Sequence, residues 1–202
     1  MKIKSKTLLS MGLALTMLIS GCSKAEEEEP VENEEVVETL RGNDVYASPS
    51  NPTNEQIVAF NALTDAVSSG NIEDIVKNAA ICFAFDFFSL KNKTGQDDVG
   101  GLTYLPDDRI EEFKTYAISH YTQNYASIVN DYGQESLPMV KAVTVNSVTS
   151  MDVQYLGNTF PGYVVNATIE YQKTKMDEAD LKTEMSATFI VDNGIAGLIA
   201  VE

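Results

Sequence analysis

Residues 71–90 read NIEDIVKNAAICFAFDFFSL, and the spacing within them decides the architecture. Apolar side chains recur at Ile72, Ile75, Val76, Ala79, Ala80, Phe83, Phe87 and Phe88, three or four residues apart, which is the period of one helical face. This is the strongest periodicity in the chain. It predicts a helix from Asn71 to about Leu90 at the centre of a core. The helix before it reads Thr53 to Ser69. Thr53 and Gln56 form a capping-box pattern, Ile57, Phe60, Leu63 and Val67 share a face, and Gly70 supplies a stop. A third helix reads Asp107 to Tyr132. Its first residues, Asp107 and Asp108, suit the helix dipole. Ile110, Phe113, Ala117, Tyr121, Tyr125, Ile128 and Tyr132 make one broad stripe, closed by Gly133.

Between the second and third helices, Lys91 to Pro106 is polar and then rich in glycine. Asn92 to Gln96 has turn chemistry, so a short irregular hairpin is expected. The pair Gly100-Gly101 points to unusual dihedrals or a close backbone approach. Asp97 and Asp98 are oxygen ligands by type, but the alternating acids and terminal Glu of an EF-hand loop are absent. No GxxxxGK[ST] run is present to cradle a phosphate.

After Pro138 the period becomes two. Val143, Val145, Thr149, Met151 and Val153 read as one side of a strand. Tyr163, Val165, Ala167, Ile169 and Tyr171 alternate with polar residues, as do Leu181, Thr183, Met185, Ala187, Phe189 and Val191. Asp192-Asn193-Gly194 is a hairpin signal, with Ile195 to Val201 pairing back. One apolar and one polar face per strand means an antiparallel sheet solvated on one side. Helices followed by strands give an α+β class.

The amino-terminal end has a different logic. Lys2, Lys4 and Lys6 precede an apolar run from Leu8 to Ser20, which has the layout of a secretory signal. The run is 13 residues long, short of the roughly 20 that span a membrane. Its close, Leu18-Ile19-Ser20-Gly21-Cys22, resembles the lipobox of bacterial lipoproteins. That resemblance implies that residues 1–21 are removed and that Cys22 becomes the first mature residue, carrying a diacylglycerol thioether and usually a further acyl chain. Two or more chains anchor a protein stably where one does not. The alternative is an ordinary signal peptide cut nearby, leaving Cys22 a free thiol. Residues 22–52 are expected to be a lipidated cysteine and a disordered acidic tether, and residues 53–202 the domain. Eight Glu and one Lys stand in residues 23–39, and like charges with little apolar surface cannot offset the entropy of ordering.

The formal net charge is −16. Such a balance argues against nucleic acid and against docking on anionic headgroups through charge. It leaves cations or a basic partner as attractable groups, and solubility as the plainer account. The chain has two cysteines. With Cys22 lipidated no intrachain disulfide forms, and Cys82, within its apolar stretch, reads as a small buried hydrophobe.

The element order, with its Gly/Asn punctuation, resembles the nuclear transport factor 2-like (cystatin-like) superfamily. Residues 83–93, FAFDFFSLKNK, and 98–102, DVGGL, look like a segment shared by uncharacterised lipoproteins of Gram-positive bacteria assigned to that superfamily. The resemblance covers about Thr53 to Glu202. It implies a cone: three helices packed on a curved antiparallel sheet of about four to six strands. Members include isomerases, dehydratases, transport adaptors and dimerisation modules, so the fold does not name an activity.

Asp86 falls on the apolar face of the second helix. A partly desolvated carboxylate there is a candidate base, and with Tyr121 or Tyr125 it would imitate the carboxylate–tyrosine pair of a superfamily isomerase, although that enzyme's base is not carried by this helix. The reading we favour is that Asp86 binds backbone amides of the Lys91–Gly101 loop and sets its shape. His120, the one histidine, sits at the edge of the third helix's stripe and reads as a boundary residue or a lone acid–base. It has no cysteine partner for the usual zinc ligand set, so no metal and no cofactor are expected. No serine or cysteine has a GxSxG-type setting. The candidates to line a pocket are Phe83, Phe87, Phe113, Tyr121, Tyr163 and Phe189.

These residues lead to a lipid-anchored, extracytoplasmic module at a Gram-positive cell surface that binds a small apolar ligand or a protein without catalysis. The alternatives are an isomerase- or dehydratase-type enzyme using Asp86 or His120 with a tyrosine, and a dimerisation module that pairs through the polar sheet face.

Overall fold

A computed structural model describes residues 38–174 and 181–202. The leader, Cys22 and the glutamate run therefore lie outside the described residues. The order is helix α1 (Asn54–Ser69), α2 (Ile72–Phe88), α3 (Asp107–Ala117), α4 (Tyr125–Tyr132), then strands β1 (Val140–Tyr155), β2 (Asn158–Tyr171), β3 (Glu184–Asp192) and β4 (Ile195–Val201). The strands form one open antiparallel sheet in the order β1-β2-β3-β4. The class is α+β, as the change of period requires.

Helix α1 starts as its sequence directs. Thr53 accepts from the Gln56 amide while Gln56 returns a bond to the Thr53 amide, and Gly70 closes the helix at φ 71°. Asn71 caps α2 through the amide of Asp74. Helix α2 is the central element. Val76, Ala79, Ala80, Phe83 and Ala84 are fully buried. They meet the inward face of the sheet, where Val165, Ala167, Ile169, Met185, Ala187 and Phe189 are buried in register across β2 and β3.

Three expectations are corrected. First, the segment between α2 and α3 forms no hairpin. It is an irregular wrap ending in a short 3-10 turn, Leu102–Tyr104. Its polar groups bond outward to the helices and to Pro138 instead of across a two-stranded ladder. Second, the third helix is broken. A π-helical segment, Ile118–Thr122, follows α3, and a turn at Gln123 and Asn124 precedes α4. Ala117 and Tyr125 remain buried, but Tyr121 and Tyr132 stand exposed at the surface. Third, β1 carries a register shift between Val145 and Ser147. Val143, Val145 and Val148 pack against the core, while Thr149 and Met151 turn outward. A bulge adds one residue and so exchanges the two faces of the residues that follow it, although Val153, further along, is buried again as expected.

The domain also begins earlier than Thr53. Residues 38–52, expected to be tether, strap the domain together. Arg41 grips Asp65 with two bonds of 2.6 and 2.8 Å, and its amide donates to Asn61 Oδ1 at 2.8 Å. Tyr46 is buried against Tyr104, and its hydroxyl exchanges hydrogen bonds with the backbone of Ala196 on β4. Polar runs hide such straps because a few anchors suffice to order them.

Candidate functional site

Helix α2 ends in Phe87-Phe88-Ser89-Leu90, and its aromatic side chains continue outward from the core. Phe83 stacks on Phe87 with ring centroids 5.3 Å apart. Phe87 meets Phe113 at 5.1 Å and Tyr121 at 5.0 Å in tilted and edge-on geometry, the arrangements that aromatic quadrupoles favour. Phe83 and Phe189 are fully buried and fill the interior. The chain of rings surfaces where Phe87, Phe88, Tyr121, Ile128 and Tyr171 wall a groove of about 450 Å³. His120, Asn124 and Lys182 add polar groups to its wall. Such a volume, mostly apolar with a few polar points, is that of a small-molecule site.

The π-helical segment shapes this groove. A wide turn carries one more residue than an α-turn, and such insertions recur at functional sites. Here it holds both His120 and Tyr121. The imidazole lies flat on Tyr116, with centroids 4.1 Å apart and planes at 16°. Its Nδ1 is 2.9 Å from the Tyr116 carbonyl oxygen, which only accepts. Ser119 Oγ lies 2.8 Å from the same nitrogen, so two neighbouring groups hold the ring in place. Tyr171 donates its hydroxyl to the Lys182 carbonyl at 2.8 Å, and burial raises its pKa. Burial, with Tyr116 nearby, also raises that of Tyr121.

Asp86 is elsewhere. One carboxylate oxygen accepts from the Gly101 amide at 2.7 Å and the other from Lys93 Nζ at 2.5 Å. The void beside it is about 10 Å³, room for one water at most. The neighbouring backbone approaches so closely that a Cβ on Gly100 would stand 2.1 Å from the Asp86 carbonyl oxygen. Asp86 is thus the pin of the 91–101 loop, as the amide-binding reading has it. Lys93 is the partner that sequence reasoning missed, because a loop lysine carries no sign of burial. Tyr125 serves the same loop: its hydroxyl donates to the Lys93 carbonyl at 2.5 Å.

Of the candidate pocket residues, the structure brings Phe87 and Tyr121 to the groove. Phe113 sits between α3 and β4, beside a separate depression with Leu105 and Leu198. Tyr163 pairs with Phe189 across the strands and borders a shallow surface hollow with Met151 and Pro161. Asp86 and His120 line different spaces, so no acid–base pair forms between them. Among the described residues no three His, Cys, Asp or Glu side chains converge to hold a metal ion, and no helix is long and apolar enough to cross a membrane. Phe88 and Tyr171 were not foreseen as wall residues. The only signal was their place at the end of a helix and of a strand. Compared with protein-family models, curated proteins and solved structures, the chain matches none.

Proposed function

We propose that this protein is a lipid-anchored, extracytoplasmic binding module of a Gram-positive cell surface. Its groove takes a small apolar molecule bearing an aromatic ring and performs no chemistry on it. The observation that carries this reading is the groove of about 450 Å³ walled by Phe87, Phe88, Tyr121 and Tyr171 at the edge of an otherwise filled core. Ring faces and edges suit a planar apolar ligand, and His120, Asn124 and Lys182 offer points to orient it. Attachment at Cys22 is supported by Leu18-Ile19-Ser20-Gly21-Cys22 at the close of the apolar leader. A nuclear transport factor 2-like cone is supported by the order of helices before a four-stranded antiparallel sheet.

Commitment of Asp86 to Lys93 and Gly101 weakens the isomerase alternative. Dimerisation through the sheet draws less support still, since its outward polar groups bond one another, as in Asn146 to Thr168 and Asn166 to Ser147. The test is fluorescence titration with the neutral dye N-phenyl-1-naphthylamine. Saturable one-site uptake, weakened about tenfold by Tyr121→Ser, is expected. Uptake that does not saturate, or that ignores the substitution, overturns the assignment.

A further inference from the structure

A second groove opens at the other end of the sheet. The β1–β2 hairpin turns through Leu156-Gly157, at φ 49° and 79°, and the β3–β4 hairpin through Asn193-Gly194, at φ 49° and 83°. Both are the paired left-handed conformations that two-residue hairpins use. Asn and Gly adopt them readily, whereas Leu does not. Strain of this kind persists where something else requires the residue. Leu156 gains no burial in return: it is 73% exposed, the most exposed of the large apolar side chains among the described residues. Ile195, on the neighbouring tip, is 48% exposed.

Both side chains border a groove of about 520 Å³ whose base includes Tyr46, Pro106, Phe160 and Ile190. Its rim holds Asp107, Asp108 and Asp192, and no Lys, Arg or His lines it. None of the three carboxylates has a cation partner among the described residues. Asp108 takes a hydrogen bond from the Tyr155 hydroxyl, and Arg109, next in the chain, is turned to Glu112. Apolar points inside an acidic rim without a cation partner have a definite complement.

We infer that this groove docks a segment of a partner protein that presents aliphatic side chains between lysines or arginines. The rim repels phospholipid surfaces of anionic character, and it repels a second copy of this acidic chain. The site is separate from the aromatic groove and stands or falls apart from it.

Calorimetric titration of the whole purified protein with a short peptide of alternating leucine and lysine tests the inference, with the leucine–glutamate counterpart as comparison. One-site binding of the lysine peptide is expected, weakening as salt is raised. Leu156→Asn and Ile195→Thr should each weaken it about tenfold. Asn is at ease at positive φ, so Leu156→Asn keeps or raises the melting temperature, and lost binding cannot then be lost folding. Tyr121→Ser should leave the titration unchanged. Equal binding of the two peptides, or full binding by Leu156→Asn, overturns the inference. So does Leu156-dependent self-association or attachment to phosphatidylcholine vesicles in place of peptide binding.

Discussion

Lys93 keeps its ammonium group almost wholly out of water, with a side-chain exposure of 5% against 17% for its partner Asp86. The two members of such a pair are not equivalent on deletion. Asp86→Asn leaves a buried cation unpaired, which costs about 3 kcal/mol or more. Lys93→Met leaves a carboxylate that still holds the Gly101 amide and touches solvent, and the cost should be about 1 kcal/mol. Denaturant midpoints will separate these values. Equal losses would mean that the two groups bear the desolvation alike. The role of Asp86 was legible in the sequence because a polar residue on an apolar helical face needs a local partner. The identity of that partner was not, since the loop's path decides which of its groups comes near.

At the scale of elements, the start of α1 joins three parts of the fold. Thr53→Ala removes one cap and should cost about 1 kcal/mol. Gln56 does more. It is buried, donates to the Phe85 carbonyl at 3.1 Å, and accepts from the Thr53 and Asn92 nitrogens at 2.9 and 3.1 Å. Gln56→Ala orphans these groups and should cost about 3 kcal/mol. Thermal unfolding of the two variants checks the order, and a Thr53 effect larger than that of Gln56 contradicts it. Both capping residues were readable from spacing alone. The π-helical segment after α3 was not, because five residues are too few for a change from an α to a π period to register in hydrophobicity.

For the molecule as a whole, the core sets an alkaline limit. Burial pushes the Cys82 thiol from 9.0 up to about 12, against a smaller lowering by its bond to Tyr104. Burial likewise moves the Tyr46 phenol from 10.0 up to about 12. Both folded values lie above the unfolded ones. Their contribution to stability is therefore complete below about pH 9 and is lost as pH rises toward 12. Denaturation midpoints should fall across that window, and phenolate absorbance from the buried tyrosines should appear with unfolding, not before it. A midpoint unchanged up to pH 12 would contradict the burial of both groups. The other prediction at this scale concerns Cys22. Mass spectrometry of the membrane-extracted protein should find it acylated and first in the mature chain, and Cys22→Ala should release the protein from the membrane. An unmodified terminus elsewhere defeats the anchor.

Periodicity, caps and turn residues act over a few positions, so α1, α2, the later strands and the α+β class were determined by the sequence itself. The strap of residues 38–52, the bulge that exchanges the faces of β1 and the wrapped loop pinned by Lys93 were decided only in three dimensions. So were both grooves. A groove is the space left between elements distant in sequence, and no local pattern records where packing stops.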